Sequence, residues 1–470
     1  EISECLVGSE MCIRDRSLMS YLARINYTLK HKYLFSVNAR VDGSSRFGTN
    51  NKYGFFPSAS AGWRISEEAF MEPVKEVISN LKLRASYGFT GNTEIGVYES
   101  LATLGTSNWI LGNQLVSGFF PNKIPNPDLK WERTGQFDIG LDLGLFNNRL
   151  RITTDYYKKK TTDLLYSVAV PATSGYQTML KNIGSIENQG YELSIESDNL
   201  TGAFSWTTAF NIAFNRNKVL ELGGEEYKEM AEGDGHLKTG SVRRLIVGEP
   251  IGVFYGYRFD GIFQNEEECK QQTSSASPIG VGLRRYKDLN GDGKVDAAND
   301  REILGDANPK FFGGLTNTFA YKGFELNVFL QYSYGNKILN YNAMELENPT
   351  GGQNAYADMV NRWTPENPSN IYPKATTNRA LLVSDRFIED GSYLKLKTLS
   401  LSYSFPKINL KHIQGLRLYV TGQNLLTWTK YRGYDPEVSY RGASTLEAGE
   451  DFGGYPQSRT FMFGIKLDIK

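Results

Sequence analysis

The feature that most constrains this chain is an alternation of apolar and polar side chains in segments of about 9 to 11 residues. One apolar series consists of Tyr21, Ala23, Ile25, Tyr27 and Leu29, with Arg24, Asn26 and Thr28 between its members. Further series with the same spacing begin at Tyr33, Leu81, Phe137, Tyr191, Trp206, Leu416 and Phe461. Because side chains alternate across a strand, each segment is predicted to be a β-strand with one apolar and one polar face. Such strands occur both in soluble sandwiches and in transmembrane barrels.

The connections between these segments favour one of the two architectures. Some connections are short and others are long, the short ones at 147–148, 199–202 and 322–323, the long ones at 91–130, 336–391 and 429–458. Short turns that alternate with long loops are typical of outer-membrane barrels, where the turns are periplasmic and the loops are extracellular. We therefore predict an all-β fold, an antiparallel transmembrane β-barrel with long extracellular loops.

The same alternation decides how many strands cross the membrane. It assigns residues 217–309 to one extracellular excursion, so that strand structure within 253–263 lies outside the membrane. The count is then 13 spanning strands. Single-chain bacterial barrels have even numbers of strands, so at least one further strand is expected upstream. A helix is predicted over residues 66–80 on the periplasmic side, because Ser66 can cap it and two glutamates favour its positive end.

Composition excludes several classes of protein. The 52 Lys and Arg residues equal the 52 Asp and Glu residues in number, whereas a nucleic-acid-binding protein usually has a basic excess. Mean hydropathy is −0.41, and no apolar run approaches the roughly 18 residues that a membrane helix needs. The three histidines are scattered, and no phosphate-binding glycine loop or nucleophile elbow is present. The sequence therefore does not indicate an enzyme.

The first 16 residues contain two of the three cysteines, Cys5 and Cys12. This segment shows no alternation and resembles translated sequencing-adaptor sequence, so we predict that residues 1–16 are a non-native leader. Cys269 alone gives neither a disulfide framework nor a metal site. No signal peptide is found although an outer-membrane barrel must be exported, so the native N-terminus is expected to be missing.

Several motifs resemble the SusC/RagA family of TonB-dependent transporters across residues 17–470. They are DGSSRFG at 42–48, FPS at 56–58 with GWR at 62–64, NPDLKWE at 126–132, NIG at 182–184 with NQGYE at 188–192, RWTPENP at 362–368, and GQNL at 422–425 with GYDPE at 433–437. The resemblance implies a bacterial outer-membrane barrel of about 22 strands around an N-terminal plug. The 13 strands would be the last of that barrel, and the plug and the TonB-contacting segment would not be in this sequence. One departure is the C-terminus, which ends on Lys470 where such barrels often end on an aromatic residue.

The resemblance also implies partners and cargo. A SusD-like surface lipoprotein would cover the extracellular mouth, and the TonB complex would drive uptake of oligosaccharides or peptides. We therefore expect an active importer of oligomeric nutrients in the outer membrane, in contact with outer-membrane lipid. Two alternatives remain open, an extracellular binding or adhesion protein built of soluble β-sandwiches and a passive porin.

One acidic segment predicts a calcium loop. DLNGDGKVD at 288–296 matches the start of an EF-hand-type loop, in which glycine allows the sharp turn. The predicted oxygen ligands come from Asp288, Asn290, Asp292, Lys294 through its carbonyl, Asp296 and Asp300. Position twelve is Asn299 instead of a bidentate carboxylate. The alternative is an acidic, glycine-rich turn without an ion.

Aromatic side chains in the long loops are the candidates for ligand or lid contacts. They are Trp109, Phe119, Phe120, Tyr176, Trp363, Trp428, Tyr431 and Tyr434. The alternative is a role in the aromatic girdle or in loop packing, which we favour for Trp428 and Tyr431. The polar faces of the strands carry charges of both signs, namely Arg24, Arg40, Arg84, Asp138, Asp142, Glu192, Glu196 and Arg417. We expect these charges to form a wall of paired side chains and not an ion-selective ring.

Overall fold

The computed structural model describes residues 16–469 except 177, 231–232, 234–235, 238, 349–353, 378–380, 406–412, 438, 443 and 445. The predicted leader at 1–16 therefore lies almost wholly outside the described residues. None of the helices in the described part is long and apolar enough to cross a membrane. The described residues separate into two compact units, each treated by itself below.

The described residues form 28 β-strands. In the first half these are β1 Leu18–Leu29, β2 Tyr33–Ser44, β3 Tyr53–Arg64, β4 Ile78–Asn92, β5 Thr103–Leu111, β6 Gln114–Lys123, β7 Glu132–Leu145, β8 Leu150–Thr162, β9 Leu165–Ala169, β10 Thr178–Asn182, β11 Ser185–Thr201, β12 Phe204–Glu221, β13 Tyr227–Glu229 and β14 Arg244–Ile246. In the second half they are β15 Val253–Tyr257, β16 Phe259–Ile262, β17 Thr273–Ser274, β18 Arg284–Tyr286, β19 Lys294–Val295, β20 Arg301–Asp306, β21 Phe311–Tyr321, β22 Phe324–Tyr334, β23 Lys337–Asn340, β24 Ile388–Asp390, β25 Tyr393–Phe405, β26 Ile413–Thr429, β27 Glu450–Asp451 and β28 Thr460–Ile469.

Thirteen of these strands form one large sheet in the order β1-β2-β3-β4-β7-β8-β11-β12-β21-β22-β25-β26-β28. The prediction of 13 long strands and of an all-β, antiparallel fold is confirmed. The segment 253–263 forms β15 and β16, which pair with β20 and β18 outside the large sheet, as the alternation of connections predicts. The short helices are α1 Glu266–Gln271 and α2 Tyr341–Leu346, with 3-10 turns at Ile65–Glu67, Ala69–Val74, Ala172–Ser174, Ala357–Asn361 and Asp385–Phe387.

The apolar faces of the large sheet are open to the surroundings. Phe137 of β7 is 40% exposed and Phe461 of β28 is 65% exposed. In a soluble sandwich these faces would pack together into a core. The buried clusters lie elsewhere, mostly in the connections on the side of the long loops. This arrangement is expected of strands whose apolar faces contact lipid.

The short turns between strands contain residues in the left-handed backbone conformation. Asn147 and Asn148 adopt φ values of 58° and 61°, and Lys322 and Gly323 adopt 46° and 89°. Two consecutive residues of this kind form the turn type that matches the twist of antiparallel strands. These turns therefore hold β7 against β8 and β21 against β22 with minimal connecting chain.

The helix predicted over residues 66–80 is wrong. Residues 65–74 form two 3-10 turns, and Ile78 already begins β4, where Asn80 pairs with Gly144. Pro73 lies inside the second turn and lacks the N–H that a continuing helix requires. Ser66 is buried and makes no capping hydrogen bond. Tertiary contacts therefore outweigh the local capping pattern at this turn.

Candidate functional site

In unit 1 the connection between β4 and β7 contains a two-stranded hairpin, β5 and β6, which we call the apolar hairpin (residues 103–123). Gly112 and Asn113 form its tip with φ values of 59° and 65°. An ion pair of 2.5 Å between the Lys123 ammonium group and the Glu99 carboxylate holds its base. The hairpin pairs only with itself within the described sheets. It therefore gains no backbone pairing from any other strand in the described part of the chain.

The two faces of the apolar hairpin differ in exposure. Ile110 pairs with Leu115 and Thr106 pairs with Phe119, so these four side chains share one face, which we call face B. Strand alternation places Trp109 and Phe120 on the opposite face, which we call face A. On face B the exposed fractions are 70% for Leu104, 75% for Ile110, 71% for Leu115 and 74% for Phe119. Face A is also largely exposed, though less than face B, with 60% for Trp109, which lies over Gly118, 65% for Leu111 and 42% for Phe120, whose ring covers Gly105. The structure thus brings Trp109, Phe119 and Phe120 onto one hairpin but places them on two faces.

The remaining predicted aromatic residues lie apart from this hairpin. Tyr176 and Trp363 are half-buried, and the indole N–H of Trp363 donates to Gln264 at 3.2 Å. Trp428 is exposed at the end of β26, opposite Leu394, where an interfacial aromatic is expected. Tyr434 is 83% exposed, whereas Tyr431 is only 5% exposed. Of this group, Tyr434 is the most accessible to a ligand or partner, and Tyr431 packs inside the loops.

In unit 2 three long connections pack together. We call them the loop assembly, which consists of residues 227–310, 335–392 and 430–459. Its core contains Phe254 from the first connection and Leu339, Tyr341 and Phe387 from the second, each without exposed surface. Strand β27 of the third connection runs parallel to β23. The loops of unit 2 therefore form a packed body with its own apolar core.

A buried arginine joins the first and third connections. The Arg243 guanidinium donates to the Glu450 carboxylate at 2.8 Å, to the carbonyl of Gly252 at 2.6 Å and to the carbonyl of Ala448. Its charged group also lies 4.2 Å from the centre of the Phe254 ring. Burial of such a pair is tolerated because each of the three guanidinium nitrogens has an acceptor. Arg243 and Glu450 are therefore structural residues of the loop assembly.

A second ion-pair group fixes the third connection to the large sheet. The buried Lys395 of β25 donates to the Asp435 carboxylate at 3.1 Å and also contacts Glu437. Burial alone would raise the pKa of Glu437, but Lys395 and Lys397 outweigh it and lower that pKa. The acidic residues belong to the GYDPE motif, whereas their partner Lys395 is 40 residues or more away. The sequence therefore shows the motif but gives no signal for its buried lysine.

The predicted calcium loop is compact, and its carboxylates already bind backbone. Asp300 is fully buried and accepts the N–H groups of Leu289 at 2.8 Å and Asp296 at 2.7 Å. Asp288 accepts those of Gly291 and Gly293, both at 2.7 Å. No three His, Cys, Asp or Glu side chains in the described part of the chain are grouped to hold a metal ion. The side chain that joins the two ends of the loop by hydrogen bonds is that of Asp300 and not that of Asn299. Calcium binding stays a prediction.

Charges on the polar faces form pairs of opposite sign. Arg84 contacts Asp142 at 3.0 Å and Asp155 at 2.9 Å. Arg417 contacts Glu325 at 2.5 Å. Pairs of the same kind join Arg40 to Asp42 and Arg151 to Glu196. Five of the eight predicted charges, Arg40, Arg84, Asp142, Glu196 and Arg417, are paired in this way, whereas Arg24, Asp138 and Glu192 form no ion pair in the described part of the chain.

Comparison with known proteins agrees with this architecture. The sequence profile of the family described as "TonB dependent receptor-like, beta-barrel" matches residues 14–425. TonB-dependent receptor P3 of Formosa agariphila is 41% identical over 97% of this chain, which corresponds to 46% of the relative's own length. TonB-dependent receptor SusC of Bacteroides thetaiotaomicron is 32% identical over 96% of this chain and 44% of its own length. The solved structure described as the RagAB peptide transporter superposes with a TM-score of 0.80 at 28% identity, over 96% of this chain and 47% of that one. The chain spans about half the length of these relatives. It belongs to the TonB-dependent receptor family of outer-membrane β-barrels and is of the SusC and RagA type.

Proposed function

We propose that the full-length protein containing this chain is a TonB-dependent importer of oligomeric nutrients, oligosaccharides or peptides, and that it is not an enzyme. The observation that carries the proposal is the likeness to both SusC and the RagAB transporter over nearly the whole chain. The open apolar faces of the large sheet and the packed loops at one end suit a barrel with a structured extracellular side. TonB would act through the part of the protein that this chain does not contain.

Growth of the native bacterium tests the transport proposal. Deletion of the full gene is expected to abolish growth on one polymeric nutrient while growth on its monomers is unchanged. Depletion of TonB should give the same defect, which separates active import from a passive porin. Unchanged growth on every oligosaccharide and peptide tested would contradict the proposal. A soluble monomer obtained without detergent would instead favour an extracellular adhesion protein.

The apolar hairpin is the proposed contact of the SusD-like lipoprotein. Complete burial of a Leu, Ile or Phe side chain contributes about 1.5–3 kcal/mol relative to exposure. Four such side chains on face B are at least 70% exposed. An isolated two-stranded hairpin is marginally stable in water, so a partner that covers face B would stabilise it. Face B is also free of charged side chains, which favours an apolar partner surface over a sugar.

Co-purification tests this contact and its face. The double variant Ile110→Ser/Phe119→Ser removes apolar side chains from face B, and Trp109→Ser/Val116→Ser is the matched change on face A. Only the face B variant is expected to lose the tagged lipoprotein encoded beside the gene, at least about tenfold, from two buried side chains. Heat-modifiable migration in gels checks that both barrels are assembled. Equal recovery of the lipoprotein with both variants would overturn the assignment of face B.

A further inference from the structure

In unit 1 the strands of the large sheet have a polar face and an apolar face, and the two faces differ in whether their basic residues form ion pairs. On the polar face, Arg84 is held between Asp142 and Asp155. The hydroxyl groups of Thr134 and Thr161 lie 2.8 Å apart, which places both side chains on one face of β7 and β8. Their neighbours Arg133 and Lys160 therefore lie on the opposite face, which carries Phe137 and Tyr156.

Four exposed basic side chains lie toward the loop end of this apolar face. Lys158 lies two residues from Lys160 and contacts the Glu187 carboxylate of β11 at 3.2 Å. Because β11 ends at Thr201 and β12 begins at Phe204, regular antiparallel pairing of this hairpin places Glu187 opposite Lys218. Lys218 is exposed, and the buried Val219 points to the other side. Arg133, Lys158, Lys160 and Lys218 are thus exposed basic side chains on this face, and of the four only Lys158 contacts the Glu187 carboxylate in the described part of the chain.

These charges are not neutralised within the protein. The Arg133 guanidinium lies 3.7 Å from the centre of the Phe89 ring, a cation–π contact that leaves its charge in place. Lys160 and Lys218 form no ion pair with a carboxylate in the described part of the chain. Four basic groups against one carboxylate leave an excess of positive charge. An excess of this kind beside a membrane surface attracts anionic headgroups.

The depth of the basic cluster is set by an aromatic band on the same face. Tyr87 and Phe137 are paired, and the rings of Tyr156 and Tyr191 lie 4.8 Å apart. Such bands mark the membrane–water interface in barrels. Lys160 lies about 13 Å beyond Tyr156 along the strand, at about 3.3 Å per residue. Lys160 therefore lies beyond the aromatic band, at the level expected of the lipid headgroups, whereas Lys158 and Lys218 lie at the edge of the band.

We propose that Arg133, Lys158, Lys160 and Lys218 bind the phosphate groups of a phosphorylated glycolipid in the outer leaflet. Ammonium groups bind phosphate as point charges, and clusters of basic residues at a membrane surface attract anionic headgroups. The exposed Tyr87 and Phe137 next to the cluster provide apolar surface for the first acyl-chain carbons. The proposal depends on the barrel and its orientation, and not on the substrate that the full-length protein imports.

Lipid retention in nanodiscs tests this site. The full-length protein is reconstituted in phosphatidylcholine with added bisphosphorylated lipid A, and bound lipid is counted by native mass spectrometry. The variant Lys160→Gln/Lys218→Gln is expected to retain about tenfold less lipid A than the unmodified protein. The control Lys159→Gln/Lys181→Gln removes the same charge from the polar face and from β10, and should retain it fully.

Two further comparisons make the result decisive. Lys160→Arg/Lys218→Arg keeps the charges and should restore retention, which separates loss of charge from misfolding. Dephosphorylated lipid A should bind poorly to every variant. Equal lipid A retention by the Gln variant and the unmodified protein, equal binding of dephosphorylated lipid, or equally lysine-dependent retention of phosphatidylglycerol would each overturn the proposal.

Discussion

The loop assembly of unit 2 and the apolar hairpin of unit 1 are both long connections between strands of the large sheet, yet they place apolar side chains oppositely. In the loop assembly Leu339 and Phe387 are fully buried, and Arg243 has acceptors for its charged group. In the hairpin Leu115 and Phe119 are mostly exposed. The difference shows that one long connection can bury its apolar side chains within the chain, whereas another leaves them at its surface. Removal of buried groups should therefore damage the first region and leave the second folded.

The largest effect is expected at Arg243. The change Arg243→Met leaves the Glu450 carboxylate buried without its main partner, and we expect a loss of about 3–5 kcal/mol in unfolding free energy. Guanidinium titration of the purified protein in detergent, followed by tryptophan fluorescence, measures it. Because Arg243→Met/Glu450→Met removes both charges, this double variant should be the more stable of the two. A single variant that loses less than about 1 kcal/mol would mean that the pair is solvated.

Matched leucine truncations compare the two regions directly. Leu339→Ala in the loop assembly should cost about 2–5 kcal/mol, since it leaves a cavity in a packed core. Leu115→Ala in the apolar hairpin should cost no more than about 0.5 kcal/mol, since the side chain is already in solvent. The same guanidinium titration measures both variants. Similar losses for the two leucines would show that the hairpin is covered within the chain itself.

A smaller effect is expected from the Tyr431 hydroxyl. This hydroxyl donates to the buried Asp451 carboxylate at 2.5 Å, and burial together with Asp451 raises the pKa of Tyr431. Tyr431→Phe should cost about 1.5–3 kcal/mol, the value for a hydrogen bond to a charged group. Tyr434→Phe, at an exposed tyrosine in the same connection, is the control and should be neutral. Equal stability of both variants would place Tyr431 in solvent.

The smallest effect concerns the short-turn side, where Glu68 accepts hydrogen bonds from Tyr33, Lys32 and Trp63. These donors lower the pKa of Glu68 to about 2. The folded-state pKa lies below the unfolded value, so the stabilisation is complete above about pH 4.3 and disappears as the pH falls through about 2. The difference in melting temperature between the protein and Glu68→Gln should shrink over this range. A difference that stays constant from pH 6 to pH 2 would contradict the assignment.

The sequence predicted the large sheet well because period-two patterns and connection lengths are local properties. The 13 strands and the exclusion of β15 and β16 from the sheet both followed from them.

The prediction of a helix over 66–80 failed because Glu68, which would favour a helix end, is instead bound by residues up to 36 positions away, in β2 and in the turn before it. The aromatic residues of the hairpin were visible in the sequence, but their division between two faces required the pairing register. Lys395 and Arg243 were missed for the same reason, since their partners are distant in sequence.

The link between Arg243 and Glu450 has a consequence for biogenesis. Its two residues are 207 positions apart, and Glu450 lies in β27, which follows twelve of the thirteen strands of the large sheet in the chain. Contacts between residues so distant form late, because the loop entropy must be overcome before they contribute any stability. The loop assembly can therefore complete its packing only after the segment around residue 450 has been made and has joined it. Its first connection must wait for its third, although more than 200 residues separate them in the chain.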